Sequence, residues 1–149
     1  MVVNPETETL YDSDYCLWLE KTVHLLREGR WQELDIPNLV EEIADVGKSQ
    51  KQALQSNLII LLLHLLKCKY QSQKRTASWL SSIAEHRDHI DIALADSFSL
   101  RAYIQEVFDK CYAKARKRAA IETELPLDTF PEQSPFSPEQ TLDSGYDKV

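Results

Sequence analysis

A chain of 149 residues with a formal charge of -7 is long enough for one domain with a genuine core. Three glycines and no alternating β-branched run argue against a β-rich fold. The longest apolar run, Leu58 to Leu66, is interrupted by His64 and falls short of the roughly 20 residues a bilayer span needs.

The N-terminal residues Met1 to Glu6 carry neither a basic region nor an apolar stretch, unlike a secretory leader. Cys16, Cys68 and Cys111 are widely spaced, with no CxxC, and read as reduced thiols of a cytoplasmic protein. The charge is unevenly spread. Residues 1–47 hold 3 basic and 11 acidic side chains (-8), residues 48–118 hold 13 and 6 (+7), and residues 119–149 hold 1 and 7 (-6). The expectation is that acidic head and tail fold back on a basic middle; the alternative is a basic face for an anionic partner.

Residues 1–10 read as a frayed tail. Asp12 and Ser13 are candidate N-caps for a first helix striped by Tyr15, Trp18, Leu19, Thr22, Leu25 and Leu26, which Gly29 ends. Trp31 to Leu34 is a connector. Asp35 then caps a long helix from about Pro37 to Lys67, whose stripe runs Leu39, Ile43, Val46, Gln50, Leu54, Leu58, Leu61, Leu65, Cys68. The stripe keeps phase through Gly47, which marks a close helix crossing or a bend. Beyond Leu58 this helix is apolar on nearly every face and should be central. Lys69 to Thr76 is a turn. Trp79, Leu80, Ile83, Arg87, Ile90 and Leu94 stripe a third helix, broken at Asp96 to Ser99. Ser99 caps a fourth, striped by Leu100, Tyr103, Ile104, Val107, Phe108, Cys111, Tyr112, Ala115 and Ala119 and ended at Leu125-Pro126. Residues 126–149 hold four of the six prolines, yet Phe130, Phe136 and Leu142 are too apolar for a free linker. Ser137-Pro138 starts a short helix to Leu142 within a packed arm. The expected fold is all-α over one domain, residues 1–149: an antiparallel bundle of four main helices, a short C-terminal helix and an irregular packed arm.

A series of motifs carries a family resemblance. It comprises Tyr11-Asp12, Trp18-Leu19, Leu26-Arg27-Glu28-Gly29-Arg30, Asn38-Leu39-Val40-Glu41-Glu42-Ile43 and Gly47-Lys48-Ser49. It goes on through Leu62-Leu63-His64-Leu65-Leu66-Lys67, Ser78-Trp79, Ser99-Leu100-Arg101-Ala102-Tyr103, Thr129-Phe130-Pro131 and Glu139-Gln140-Thr141-Leu142-Asp143. From about Leu10 to Asp143 the chain resembles domain-of-unknown-function family number 29, common in cyanobacteria and other bacteria. The resemblance implies an all-helical fold and, the family being uncharacterised, no substrate, cofactor or catalytic residue. Where the family often has Cys-Pro and an aromatic, this chain has Ser134-Pro135-Phe136, which argues against a metal or redox role there and leaves a packing role for the aromatic.

Chemistry is sparse. Lys21, Leu61, Ile83 and His86 stand three residues before the four histidines, so the Glu-x-x-His pattern of di-iron bundles is missing. His86 and His89 share a helix face, and so do His64 and Cys68. His64, His86 and His89 are therefore the candidates for a looser metal site, against a core histidine and a solvated pair as the plainer expectation. Adjacent Glu41 and Glu42 point about 100° apart. One is expected at the surface and the other paired with a cation such as Lys48, Arg75 or Arg87. There is no GxSxG elbow and no phosphate loop. Lys110, Lys114, Lys117 and Arg118 share a face of the fourth helix, and Arg75 sits at a turn near Trp79, which is what phosphate contact and base stacking use. Trp31 and Trp79 flank turns and are expected to be core lids, with Trp79 retained as a partner-anchor candidate. The reading favoured is a non-enzymatic protein-interaction or regulatory module, without cofactor, binding an unidentified protein or itself. A nucleic-acid-binding accessory protein is the alternative and a helical-bundle metalloprotein the second.

Overall fold

The structure, a computed structural model, describes residues 9–146; most of the tail expected to fray lies outside that range. All its regular elements are helical. Through its contacts the chain divides into two compact units, Met1–Lys48 and Ser49–Val149.

The first unit opens with a single helical turn, α1 (Leu10–Ser13), where the caps of the first helix were expected. It consumes the expected caps: Ser13 Oγ donates to Thr9 O at 3.1 Å, and Asp12 accepts from the Thr9 hydroxyl at 2.7 Å. Asp14 caps α2 (Tyr15–Arg27) instead, accepting from Leu17 N at 3.0 Å. The helix ends as a Schellman motif: Arg30 N bonds Leu25 O, Gly29 N bonds Leu26 O, and Gly29 takes φ +69°. A side chain there would be strained, so glycine is the stop signal. A 3-10 turn at Trp31–Glu33 leads to Asp35, which accepts from Asn38 N and Asn38 Nδ2, and α3 begins at Ile36 with Pro37 in its first turn.

Helix α3 (Ile36–Tyr70) is the one long helix that the unbroken stripe predicted. A Cβ added at Gly47 would meet nothing within 4 Å, so no described element crosses closely there.

The core bundle of the second unit is built from the latter part of α3, α4 (Ala77–Asp96) and α5 (Leu100–Thr123). Thr76 caps α4 by accepting from Trp79 N at 3.3 Å. Ser99 holds the N-cap position of α5 but makes no side-chain cap; the first amides bond back instead, Leu100 N to Ser97 O and Arg101 N to Phe98 O. Asn57 meets His86 while Lys67 meets Trp79, so α3 and α4 are antiparallel. Gln55 meets Tyr103 while Lys67 meets Glu122, so α3 and α5 run the same way. Leu58, Leu61, Leu62, Leu65, Leu66 and Cys68 are fully buried, so that half of α3 is the core's axis.

The arm packs as expected. Phe130 and Phe136 are buried, with the Phe130 ring edge-on to Tyr70 at 5.5 Å. Ser134 Oγ donates to Phe136 O and accepts from Phe136 N, closing the turn that seats the aromatic. Helix α6 (Pro138–Leu142) starts with a capping box between Ser137 and Gln140. Two arginines tie the arm down through backbone carbonyls. Buried Arg87 donates Nε–H to Thr141 O at 2.9 Å and a second N–H to Tyr146 O at 3.3 Å; Arg116 donates to Phe130 O at 2.9 Å. Lys67 and Glu122 form an ion pair at 3.1 Å.

Replacing Arg87 by Ala strips these carbonyls of charged donors and leaves a cavity beneath the arm. The expected loss of stability is about 2–4 kcal/mol, read as a lower urea midpoint.

Candidate protein-interaction surface

The two units differ in how much apolar surface they hide. In the second, the exposed large hydrophobics are Leu80, Ile92, Phe98, Ile121 and Leu127, no two of them three or four residues apart. In the first, Trp18, Thr22 and Leu25 are the buried side chains among the described residues, and Tyr15, Leu17, Leu19, Val23, Leu26, Trp31, Ile36, Val40, Ile43 and Val46 are all exposed. From Ile36 to Ala53, half of α3, no side chain is buried. The apolar residues of that half nevertheless keep helical phase: Ile36, Val40 and Ile43 recur at steps of four and three, 50, 59 and 66% exposed.

What holds the first unit together is an aromatic cluster closed by one carboxylate. Trp18 packs edge-on to Tyr11 at 4.8 Å and stacks with Tyr15 at 6.1 Å. The Tyr11 hydroxyl donates to Glu42 Oε1 at 2.6 Å and the Tyr15 hydroxyl donates to Oε2. Glu42 was expected to face a cation if it was paired; two phenols hold it instead. Their hydrogen bonds lower the Glu42 pKa below its ordinary value. The same bond, with desolvation and the charges of Glu42 and Glu41, pushes Tyr11 up to about 12, and Tyr15 is raised by its own bond to Glu42. Composition and stripe counting missed this cluster, because a Glu on a helix reads as surface until its cross-helix neighbours are known.

The histidine candidates do come together around one amide. Asn57 Nδ2 donates to Ala53 O at 2.9 Å, which turns Oδ1 toward α4. That oxygen meets His86 Nδ1 at 2.7 Å and His89 Nδ1 at 3.2 Å. An amide oxygen accepts, so both rings donate from Nδ1. His64 Nδ1 lies 2.9 Å from Ile60 O and donates in the same way. Burial lowers the His86 pKa; the charge of Glu85 opposes this, and those of His89 and His64 reinforce it. Among the described residues no group of three or more His, Cys, Asp or Glu is placed to hold a metal ion.

The basic candidates separate. Lys110, Lys114, Lys117 and Arg118 form an exposed ridge on α5, and among the described residues none of the four is in an ion pair. Arg75 is exposed in the turn after α3. Trp79 packs on the core under Lys67, whose Nζ sits 4.5 Å from the ring centroid, so it is a lid. Trp31 is not: at 62% exposure it covers only its own turn, against Gly29. Of the thiols, Cys68 and Cys111 are buried, with burial raising the Cys111 pKa, and Cys16 is exposed on α2. No described helix is long and apolar enough to cross a membrane.

Because Tyr11 ionises late in the folded chain, its hydrogen bond to Glu42 stabilises the first unit below pH 10 and is lost as pH rises toward 12. Glu42, with its lowered pKa, contributes above its ordinary value of 4.5 and stops contributing as pH falls through the folded value. In an ultraviolet phenolate titration, Glu42→Gln should shift one tyrosine from about 12 back toward 10; an unchanged titration would show that Glu42 does not hold it.

No curated protein and no solved structure matches this chain. The family model described as "Domain of unknown function DUF29" matches residues 10–147, nearly the full length, and the chain belongs to that family.

Proposed function

We propose that this chain is a non-enzymatic protein-interaction module, and that its docking surface is the open apolar side of α2 and of the first half of α3. The observation that carries this reading is the stretch from Ile36 to Ala53, which is helical, apolar in phase, and has no fully buried side chain, with Ile36, Val40, Ile43 and Val46 exposed. A helix in water gains most of its stability from packing an amphipathic face, so an unpacked face of this length calls for a partner. The first unit is also small, and units of about 40 residues usually need association or cross-links to be stable.

The cation ridge of α5 supports a second reading, nucleic-acid binding, since its four charges are exposed and unpaired among the described residues. The chain's overall acidity weighs against it, with a pI near 5.1.

Affinity capture from the native host, with and without nuclease, separates the two. The expected result is protein captured at near-equal stoichiometry that survives nuclease and is lost on Val40→Glu with Ile43→Glu. Capture abolished by nuclease and by Lys114→Glu with Lys117→Glu would replace this reading with the nucleic-acid one.

A further inference from the structure

We infer that the occupant of this surface is a second copy of the same chain, seated face to face on α2 and the first half of α3. The inference rests on the interaction reading above and names its partner.

Three features of the first unit support it. The first is geometry. On α2 the buried side is Trp18, Thr22 and Leu25, and the open side is Leu19, Val23 and Leu26. On α3 the side turned to the tyrosines is Glu42 with half-buried Leu39, and the open side is Ile36, Val40 and Ile43. At 3.6 residues per turn each open side lies about 90–100° from the inward side, in the same rotational sense. Leu25 and Asp35 line one cleft while Tyr15 meets Glu42, so the turn at Gly29 to Asp35 reverses the chain, and in a reversed pair equal rotations bring both open sides to one face of the hairpin. That face holds two parallel apolar rows with heptad spacing: Cys16, Leu19, Val23, Leu26 on one helix and Ile36, Val40, Ile43, Gly47 on the other. Rows of this spacing are what one helical hairpin needs to meet another as a four-helix interface. Gly47 adds to this: nothing in the chain lies within 4 Å of its missing Cβ, so the backbone there is open to an incoming helix.

The second is area. Leu19, Val23, Leu26, Ile36, Val40, Ile43 and Val46, about half exposed on average, present roughly 600 Å². One partner contributes about 800 Å² to a standard-size stable interface, so this face with its polar rim suffices.

The third is complementarity. No charged side chain interrupts either row. Elsewhere among the described residues the large exposed hydrophobics are Leu80, Ile92, Phe98, Ile121 and Leu127, no two of which stand three or four residues apart, whereas the same face on a second copy offers a matching pair of rows. A face that matches itself closes as a two-fold dimer and does not propagate. The hairpins are acidic, so the pair associates against charge repulsion, and salt should strengthen it, the reverse of binding to a basic partner.

Equilibrium sedimentation of the full chain over a micromolar range, at low and high salt, tests this. The expected mass is twice 17.2 kDa at the upper concentrations, with salt favouring the dimer. Val40→Glu with Ile43→Glu should weaken dimerisation at least a hundredfold, and Ile121→Glu, an exposed change in the second unit, should leave it unchanged. Maleimide labelling of Cys16, the one exposed thiol, should slow as wild-type protein is concentrated and not in the double variant. A monomer at every concentration, or a dimer indifferent to Val40→Glu with Ile43→Glu, overturns the inference. In a monomer, an apolar dye that binds wild type and not the double variant leaves the interaction reading standing for a different protein. A monomer that binds no dye removes both.

Discussion

One helix with two unlike halves sets the terms for this chain. From Leu54 to Cys68, α3 is the axis of a three-helix core and is buried on most sides. From Ile36 to Ala53 no side chain is fully buried, Asn38, Leu39 and Glu42 being half-buried, although its apolar residues do not lose helical phase. The first half is thus patterned for packing that the chain does not supply. At roughly 25 cal/mol per Å² of apolar surface, the open face is a driving force of many kcal/mol for whatever covers it. Only a surplus over the entropy of association would appear as affinity.

The second unit solves the opposite problem. A three-helix core leaves one side thin, and the C-terminal arm closes it with Phe130, Phe136 and Thr141. Irregular backbone over a core must have its carbonyls satisfied, and Arg87, Arg116 and Tyr112 do this, the Tyr112 hydroxyl donating to Pro131 O at 2.5 Å. Burial raises the Tyr112 pKa to about 12. The acidic end of the chain is therefore anchored to the basic middle through main-chain carbonyls as well as through the Lys67–Glu122 pair. Lys110, Lys114, Lys117 and Arg118 of α5 are left facing solvent.

Much of this was legible in the residues. Stripe spacing placed α3, α4 and α5, and Ser137-Pro138 placed α6, because a 3.6-residue period and cap chemistry are local signals. The caps of α2 and α5 were misplaced for a local reason too: Asp12 and Ser13 were spent in a preceding turn, and the amides after Ser99 found main-chain partners. Less legible was anything that needed two elements at once. The stripe of Ile43 and Val46 looks the same as that of Leu58 and Leu61, and only the fold distinguishes the bare half from the buried one. Glu42 between two tyrosines, and Asn57 between two histidines, are meetings across helices that spacing along one helix does not encode. Gly47 was expected to mark a close crossing or a bend; no described element crosses there, and its openness belongs with the bare face.

Residue-resolved amide hydrogen exchange along α3 tests the contrast between its halves most directly. In dilute protein, amides from Val40 to Gln50 should exchange at least a hundredfold faster than those from Leu58 to Leu66, and the gap should narrow as concentration rises and the bare face is covered. Equal protection of both halves in dilute protein would contradict the account, because the first half of α3 would then be stable without a partner.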